Sequence, residues 1–206
     1  KMDMLAVVGL PLTLKGKLYN MAAVIKSGEL LGLVPKTHIP NYGEFYERRH
    51  FHPGEADIDY ISLELDGTWY EDIPVGAKLL FQAENVEDFV LATEICEDVR
   101  VPIPASCHHA LAGATVIANL SASDETTGKG EYRKELIKGQ SARLICGYVY
   151  ADAGEGESTT DLVFAAHNMI CENGCVLKEA KPFSNEMIIT ELDLEKLINE
   201  RRRMGS

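Results

Sequence analysis

The stretch Leu91-Ala-Thr-Glu-Ile-Cys96-Glu-Asp-Val-Arg100 is an apolar run that ends abruptly in a thiol followed by charges. Phe89, Val90, Leu91, Ala92 and Ile95 read as a buried strand, and Pro102 and Pro104 stop that strand from continuing. A thiol on the turn leaving such a strand sits at a sheet edge, with nearby backbone N–H groups free to bind an oxyanion. A lone cysteine is more often a buried core residue, and this segment alone leaves that reading standing.

A second segment shifts the balance. Leu30-Leu-Gly-Leu-Val-Pro-Lys36 is another apolar strand, and it ends in a lysine. Thr37 to Phe51 then follows, dense in aromatic and charged residues. A lysine and a cysteine at two strand ends can meet at one edge of a sheet, where the ammonium holds negative charge on the sulfur and lowers its pKa. Strand-end lysines are also often no more than solvated.

Around these two segments the chain reads as alternating strands and helices without a linker or low-complexity tract. Met4–Pro11, Leu18–Ile25 and Leu30–Lys36 are expected as strands joined by Gly-containing turns. Ile61–Leu65 and Leu79–Gln82 are further candidates, with a turn at Asp66-Gly67. Phe89–Ile95 leads to the thiol, Pro104–Ala112 reads as a helix, and Thr115–Leu120 returns as a strand. A helix is expected over Glu131–Cys146, with Tyr132, Leu136, Ile137, Leu144 and Ile145 inward and Glu131, Arg133, Lys134 and Lys138 outward. Strands at Tyr148–Ala151, Leu162–Ile170 and Met187–Glu191 follow, with Glu172-Asn-Gly174 as a hairpin turn into Cys175–Leu177. The last helix, Leu194–Arg203, starts after Asp193 as N-cap. Many strands with a few one-sided helices imply sheets covered on one face.

Composition narrows the function classes. The 206 residues suffice for one sizeable core, and a formal net charge of −12 disfavours nucleic acid and anionic membrane surfaces as partners. Arg201-Arg-Arg203 is the only basic cluster and reads as a helix-end cap. No apolar run approaches the ~20 residues needed to cross a bilayer, and no signal-peptide pattern opens the chain. Cys171 and Cys175 lack the further matched ligands a zinc site needs, so no metal is expected. The cysteines other than Cys96 read as structural thiols in a reducing cytoplasm. Gly154-Glu-Gly-Glu-Ser-Thr-Thr160 lacks the lysine and helix of a phosphate loop, and its acids would repel phosphate.

Pro35-Lys36-Thr-His-Ile-Pro-Asn-Tyr-Gly-Glu-Phe-Tyr-Glu47-Arg-Arg together with Ile95-Cys96-Glu-Asp98 resembles the nitrilase superfamily. Asn119-Leu-Ser-Ala-Ser123 with Gly128-Lys129, Tyr148 to Asp161, and Val8-Gly-Leu-Pro-Leu12 with Gly16-Lys-Leu-Tyr-Asn20 bring the chain closer to the glutaminase domains of glutamine-dependent NAD synthetases. The similarity spans nearly the whole of residues 1–206, read as one partial glutaminase domain. It implies an α/β fold, a nitrilase-like αββα sandwich of mixed sheets covered by helices, incomplete at its N-terminus.

The resemblance also implies a chemistry. Cys96 would attack the side-chain amide of glutamine, and Lys36 would stabilise the oxyanion with a backbone N–H near Cys96 or Glu97. Glu47 would orient the lysine. Tyr42 and Glu97 would line the substrate pocket, while Ser123 and Lys129 would hold the α-groups of glutamine. Relatives carry an arginine where Lys129 stands, and lysine offers a point charge instead of a planar fork. The ammonia would serve ATP- and Mg2+-dependent amidation of deamido-NAD in a C-terminal synthetase domain, the glutaminase portion itself needing no cofactor. Homo-oligomers are implied as well.

The superfamily's general base is expected on a strand upstream of Met4–Pro11, and no candidate for it stands in these residues. The chain is therefore expected to be a fragment with negligible glutaminase activity by itself. A stand-alone amidase on another small amide and a non-catalytic scaffold fragment are the competing expectations.

Overall fold

The computed structural model describes residues 3–55, 57–65, 67–157 and 161–205. Asp66 of the expected Asp66-Gly67 turn, and Ser158 to Thr160 of the acidic loop, lie outside the described residues. Among the described residues eleven strands and three α-helices follow one another: β1 (Leu5–Leu14), β2 (Lys17–Lys26), β3 (Glu29–Pro35), β4 (Asp59–Leu65), β5 (Thr68–Val75), β6 (Leu80–Gln82), β7 (Val90–Ile95), α1 (Ala105–Leu111), β8 (Val116–Ser121), α2 (Lys129–Leu144), β9 (Gly147–Asp152), β10 (Met169–Glu172), β11 (Cys175–Glu179) and α3 (Leu194–Met204).

Two mixed sheets result. The first has the order β1-β2-β3-β5-β4 and the second β11-β10-β9-β8-β7-β6. In the first, β3 and β5 are parallel and the other pairs antiparallel; in the second, β7, β8 and β9 run parallel at the centre. Short hairpins set the antiparallel registers. Lys15-Gly16, Ser27-Gly28 and Asn173-Gly174 each place two successive residues at positive φ, the geometry of a two-residue turn that matches strand twist.

The period of two in β2 shows how the layers stack. Ala22 and Val24 face the second sheet, packing with Ile95, Leu91 and Val116. Met21 and Ala23 face the other way, with Leu33, Ile73 and Val75. Beyond the second sheet, Ile137 of α2 joins Ala92, Ile117, Tyr148 and Met169 in the largest buried cluster. A mixed α/β sandwich of two sheets with helices α1 and α2 on the second is the observed architecture. No described helix is long and apolar enough to cross a membrane.

Four expectations need correction. Thr68–Val75 forms β5, although its charges and Pro74 masked the alternation. The strand expected over Leu162–Ile170 shrinks to β10, because Phe164 makes one isolated bridge to Asp124 and Ala166 adopts φ +50°. Met187–Glu191 is not a strand. On α2 the buried residues are Arg133, Ile137, Gln140 and Ser141, while Tyr132 is exposed. Arg133 thus faces inward, because buried carboxylate and carbonyl partners await its guanidinium. The expected cap on α3 forms, with the Asp193 side chain accepting from Lys196 N–H. Arg201 caps a different helix end, donating to the carbonyls of Leu144 and Ile145 at the close of α2.

Candidate active site

Cys96 begins a short 3-10 turn directly after β7. Its φ is +47°, a left-handed conformation that costs a non-glycine residue about 1–3 kcal/mol and persists only where surroundings enforce it. Two buried hydrogen bonds do so. Cys96 N–H donates to Asn119 Oδ1 at 3.2 Å, and Ile95 N–H donates to Asp98 Oδ2 at 3.1 Å. The turn ends the strand line at an open cleft of about 610 Å³, which Cys96 lines together with Lys36, Glu47, Asn20, Ser121 and Glu157. Cys96 is still only 7% exposed.

Lys36 closes the neighbouring β3. Its backbone is pinned on both sides, N–H to Asn20 O at 2.8 Å and O from Gly54 N at 2.7 Å. Gly54 has to be glycine for this, since a Cβ there would stand 2.5 Å from Pro35 Cβ. The Lys36 ammonium is 1% exposed and donates to both Glu47 oxygens, at 2.8 and 2.6 Å. Glu47 comes from a separate 3-10 turn, Glu47–Arg49. A buried ammonium in a bidentate grip is fixed in direction as well as charge.

The two strand ends are tied together by Asp98, whose role the sequence reading did not see. Its carboxylate accepts from Thr37 N–H and Oγ1, from His38 N–H and Nδ1, and from Ile95 N–H. One buried carboxylate thereby fixes the residues next to Lys36 against the residue before Cys96. The bond to Asp98 raises the pKa of His38. The available signal was position, because an acid two residues past a strand-end nucleophile is placed to cap its turn.

Behind the nucleophile lies a second buried network. Glu94 accepts from Tyr148 Oη and from Ser106 N–H at 2.8 Å, and Tyr148 Oη in turn accepts from Asn119 Nδ2 at 3.1 Å. Asn119 carries the chain on to Cys96 N–H. Burial drives the Glu94 carboxyl up to about 7. An acid inside an apolar strand is itself a signal, since glutamate is buried only when partnered.

The residues expected around the substrate divide into two groups. Tyr42, 56% exposed, donates from Oη to Glu97 Oε1 at 2.8 Å. Burial, followed by this bond, raises the Tyr42 pKa. Phe45 packs edge-on to Tyr42, and Lys129 Nζ lies 5.6 Å above the Phe45 ring. Lys129 is also ion-paired with Asp124. Ser123 is buried and accepts at Oγ from Arg100 Nη2 at 2.9 Å and Arg133 Nη2 at 3.2 Å. Cys96, Lys36 and Glu47 therefore line one cleft; Tyr42, Glu97 and Lys129, linked through Phe45, form an outer rim group that is not among its lining residues, and Ser123 is likewise not among them, whereas Ser121 and Ala122 are. Asp152 also lines the cleft, but its carboxylate points inward to Ser123 N–H at 2.8 Å, and burial pushes it up to about 6.

The Cys146 and Cys171 thiols are pushed up by burial, to about 12 and about 11. Cys175 is exposed and Cys107 half-buried.

Comparison with known proteins gives the family of the chain. Residues 1–202 match the carbon-nitrogen hydrolase family model. A glutamine-dependent NAD(+) synthetase of Mycobacterium bovis is 47% identical over 202 residues, covering 97% of this chain and 29% of that relative. The chain thus spans under a third of the length of that relative. Among solved structures, a glutamine-dependent NAD(+) synthetase from Cytophaga hutchinsonii superposes with a TM-score of 0.72 at 27% identity, covering 89% of this chain and 28% of that one. A carbon-nitrogen hydrolase from Helicobacter pylori shares the fold with a TM-score of 0.73 at 20% identity, over 98% of this chain and 66% of that one. On the family match over nearly its whole length, the chain belongs to the carbon-nitrogen hydrolases.

Proposed function

We propose that this chain supplies Cys96 as the nucleophile with which the protein its gene encodes hydrolyses the side-chain amide of glutamine, the ammonia serving ATP-dependent amidation of deamido-NAD by a synthetase domain of the same protein. The observation that carries the reading is the shared cleft, with Cys96 held at φ +47° beside an ammonium gripped by Glu47. The named relatives, glutamine-dependent NAD(+) synthetases, supply the choice of amide and of the ammonia's destination. ATP and Mg2+ belong to the amidation step and are assigned to no residue of this chain. The cysteines are free thiols, in keeping with a cytoplasmic setting.

In the first step the Cys96 sulfur attacks the amide carbon, and the C–N bond breaks. The thiol proton ends on the departing ammonia and a thioester remains. Water then cleaves the thioester, giving glutamate and the free thiol. Each step passes through an oxyanion, and donors fixed before the reaction lower its energy most effectively. Lys36 is one donor. Cys96 N–H is already committed to Asn119, so the backbone donor is assigned to Glu97, a first-turn amide without an intrahelical partner. Both Glu47 oxygens are occupied by Lys36, which assigns Glu47 to orienting the ammonium instead of moving protons.

The test compares two nitrogen sources in the protein as its gene encodes it. Cys96→Ala should abolish NAD formation from glutamine and leave NAD formation from ammonium salts intact. Equal loss with both sources, or retained glutamine use, contradicts the proposal.

A further inference from the structure

Recognition of an amino-acid amide needs a cation for its α-carboxylate, and the expected one is engaged elsewhere. Lys129 Nζ is ion-paired with Asp124 in its own loop and covers the Phe45 ring. Its charge is already balanced locally.

The two arginines that meet at Ser123 Oγ differ in the same respect. Arg133 is completely buried. It donates to Glu125 at 2.9 Å, to His167 Nδ1 at 3.0 Å and to the Asp124 carbonyl at 3.1 Å, and it lies 3.6 Å from Asp152. Its donors are consumed in holding the loop. Arg100 is only partly buried. Among the described residues its guanidinium gives one hydrogen bond, to Ser123 Oγ at 2.9 Å, and it stands 5.8 Å over the Tyr132 ring. Among the described residues no carboxylate lies within ion-pair distance of it. A guanidinium has five N–H donors, so most of this one's have no partner among the described residues. Such a cation, ordered by a ring and a buried hydroxyl, is pre-built for an anion.

Its place in the fold fits the length of the substrate. Arg100 closes the 3-10 turn that Cys96 opens, and at ~2 Å rise per residue the two Cα atoms are ~8 Å apart. Glutamine spans ~5 Å from amide carbon to α-carboxylate carbon. Burial lowers the Arg100 pKa, but the surrounding Tyr150, Cys96, Tyr132 and Glu97 outweigh it and raise the value, which puts these groups close about the guanidinium.

Building on the glutaminase reading above, we propose that Arg100 is the carboxylate anchor of the cleft, its planar fork binding the α-carboxylate of the substrate in place of Lys129. The fork restores the bidentate geometry that a lysine does not offer. Ser123 acts through Arg100, as the acceptor that sets its direction.

Alkylation of Cys96 by 6-diazo-5-oxo-L-norleucine and by its methyl ester separates recognition of the carboxylate from reactivity of the thiol. The same diazoketone is carried with and without the anion, and the gene-encoded protein is used throughout. Wild type should prefer the acid. Arg100→Met should erase that preference, a drop of ~10–100-fold for loss of a charge-assisted pair, with the ester rate within about twofold. Arg100→Lys should fall between, and Lys129→Met should keep the preference. If Lys129→Met loses the preference and Arg100→Met keeps it, the proposal is overturned while the glutaminase reading stands. If Arg100→Met slows both probes alike, Arg100 is a structural prop and the proposal fails. If wild type alkylates with no preference for the acid, the proposal and the glutamine reading fall together.

Discussion

Lys36 and Lys129 are each paired with one carboxylate, yet they belong to differently built parts of the molecule. Lys36 ends a strand, is buried, and meets both oxygens of Glu47. Its neighbours are bound through Asp98 to the turn that holds Cys96. Lys129 opens a helix at the rim, remains partly exposed, and pairs with an acid of its own loop. At the strand ends, position is set by sheet register and buried hydrogen bonds. At the rim, it is set by loop contacts among exposed aromatic rings and charges. Chemistry that depends on fractions of an ångström belongs at the first. Contacts that tolerate more play, such as the Lys129 pair, belong at the second.

Substitutions test that division, beginning with the strand ends. Lys36→Met should lower kcat/KM for glutamine by ~10²–10³-fold or more, the scale of losing one fixed oxyanion donor, with circular dichroism unchanged. A loss confined to KM would move Lys36 from chemistry to binding and break the contrast with the rim.

Asp98→Ala leaves several N–H donors without their acceptor. It should destabilise the fold by about 3 kcal/mol in urea titration and reduce kcat/KM by ~10²-fold through misplacement of Lys36 against Cys96. Full activity in a folded Asp98→Ala protein would show that the two strand ends hold their positions without it.

Glu94 sharpens the comparison through pH. Its carboxyl is raised from 4.5 to about 7 in the fold, so the folded state binds this proton more tightly than the unfolded chain. The group's contribution is therefore most favourable below pH 4.5 and is lost as pH rises through about 7. Relative to Glu94→Gln, wild type should lose on the order of 3 kcal/mol between those limits. Parallel stability–pH curves for the two proteins would contradict the burial argument. Smallest of all, Tyr42→Phe removes one bond at the exposed rim and should raise KM by no more than ~10-fold, with kcat unchanged. A large fall in kcat would place the rim inside the chemistry.

The strand ends were legible in the sequence because burial and alternation are local properties. The run before Cys96 and the run before Lys36 each announced a strand and its stop, and the Asn173-Gly174 turn announced its hairpin. The rim was less legible because its partners come from distant segments. Nothing near Arg133 in the sequence signals that Glu125, His167 and Asp152 will surround it, so helical periodicity assigned it to solvent. Arg100 and Asp98 were hidden for a related reason, since a charge after a strand reads as solvated until the partner from another loop is known. Strand β5 was missed because Glu71, Asp72 and Pro74 interrupt its apolar pattern, while its pairing with β4 is supplied by the hairpin.

The most direct measurement of the central claim is the order in which iodoacetamide, itself a small primary amide, alkylates the cysteines at neutral pH, read by peptide mass mapping. By exposure alone Cys175 should react first, because Cys96 is only 7% exposed. If Cys96 is the nucleophile of the cleft, it is labelled ahead of Cys175 and Cys107, with Cys146 and Cys171 last, and excess glutamine slows its labelling alone. Labelling of Cys175 or Cys107 ahead of Cys96, with no protection by glutamine, would contradict the assignment of Cys96.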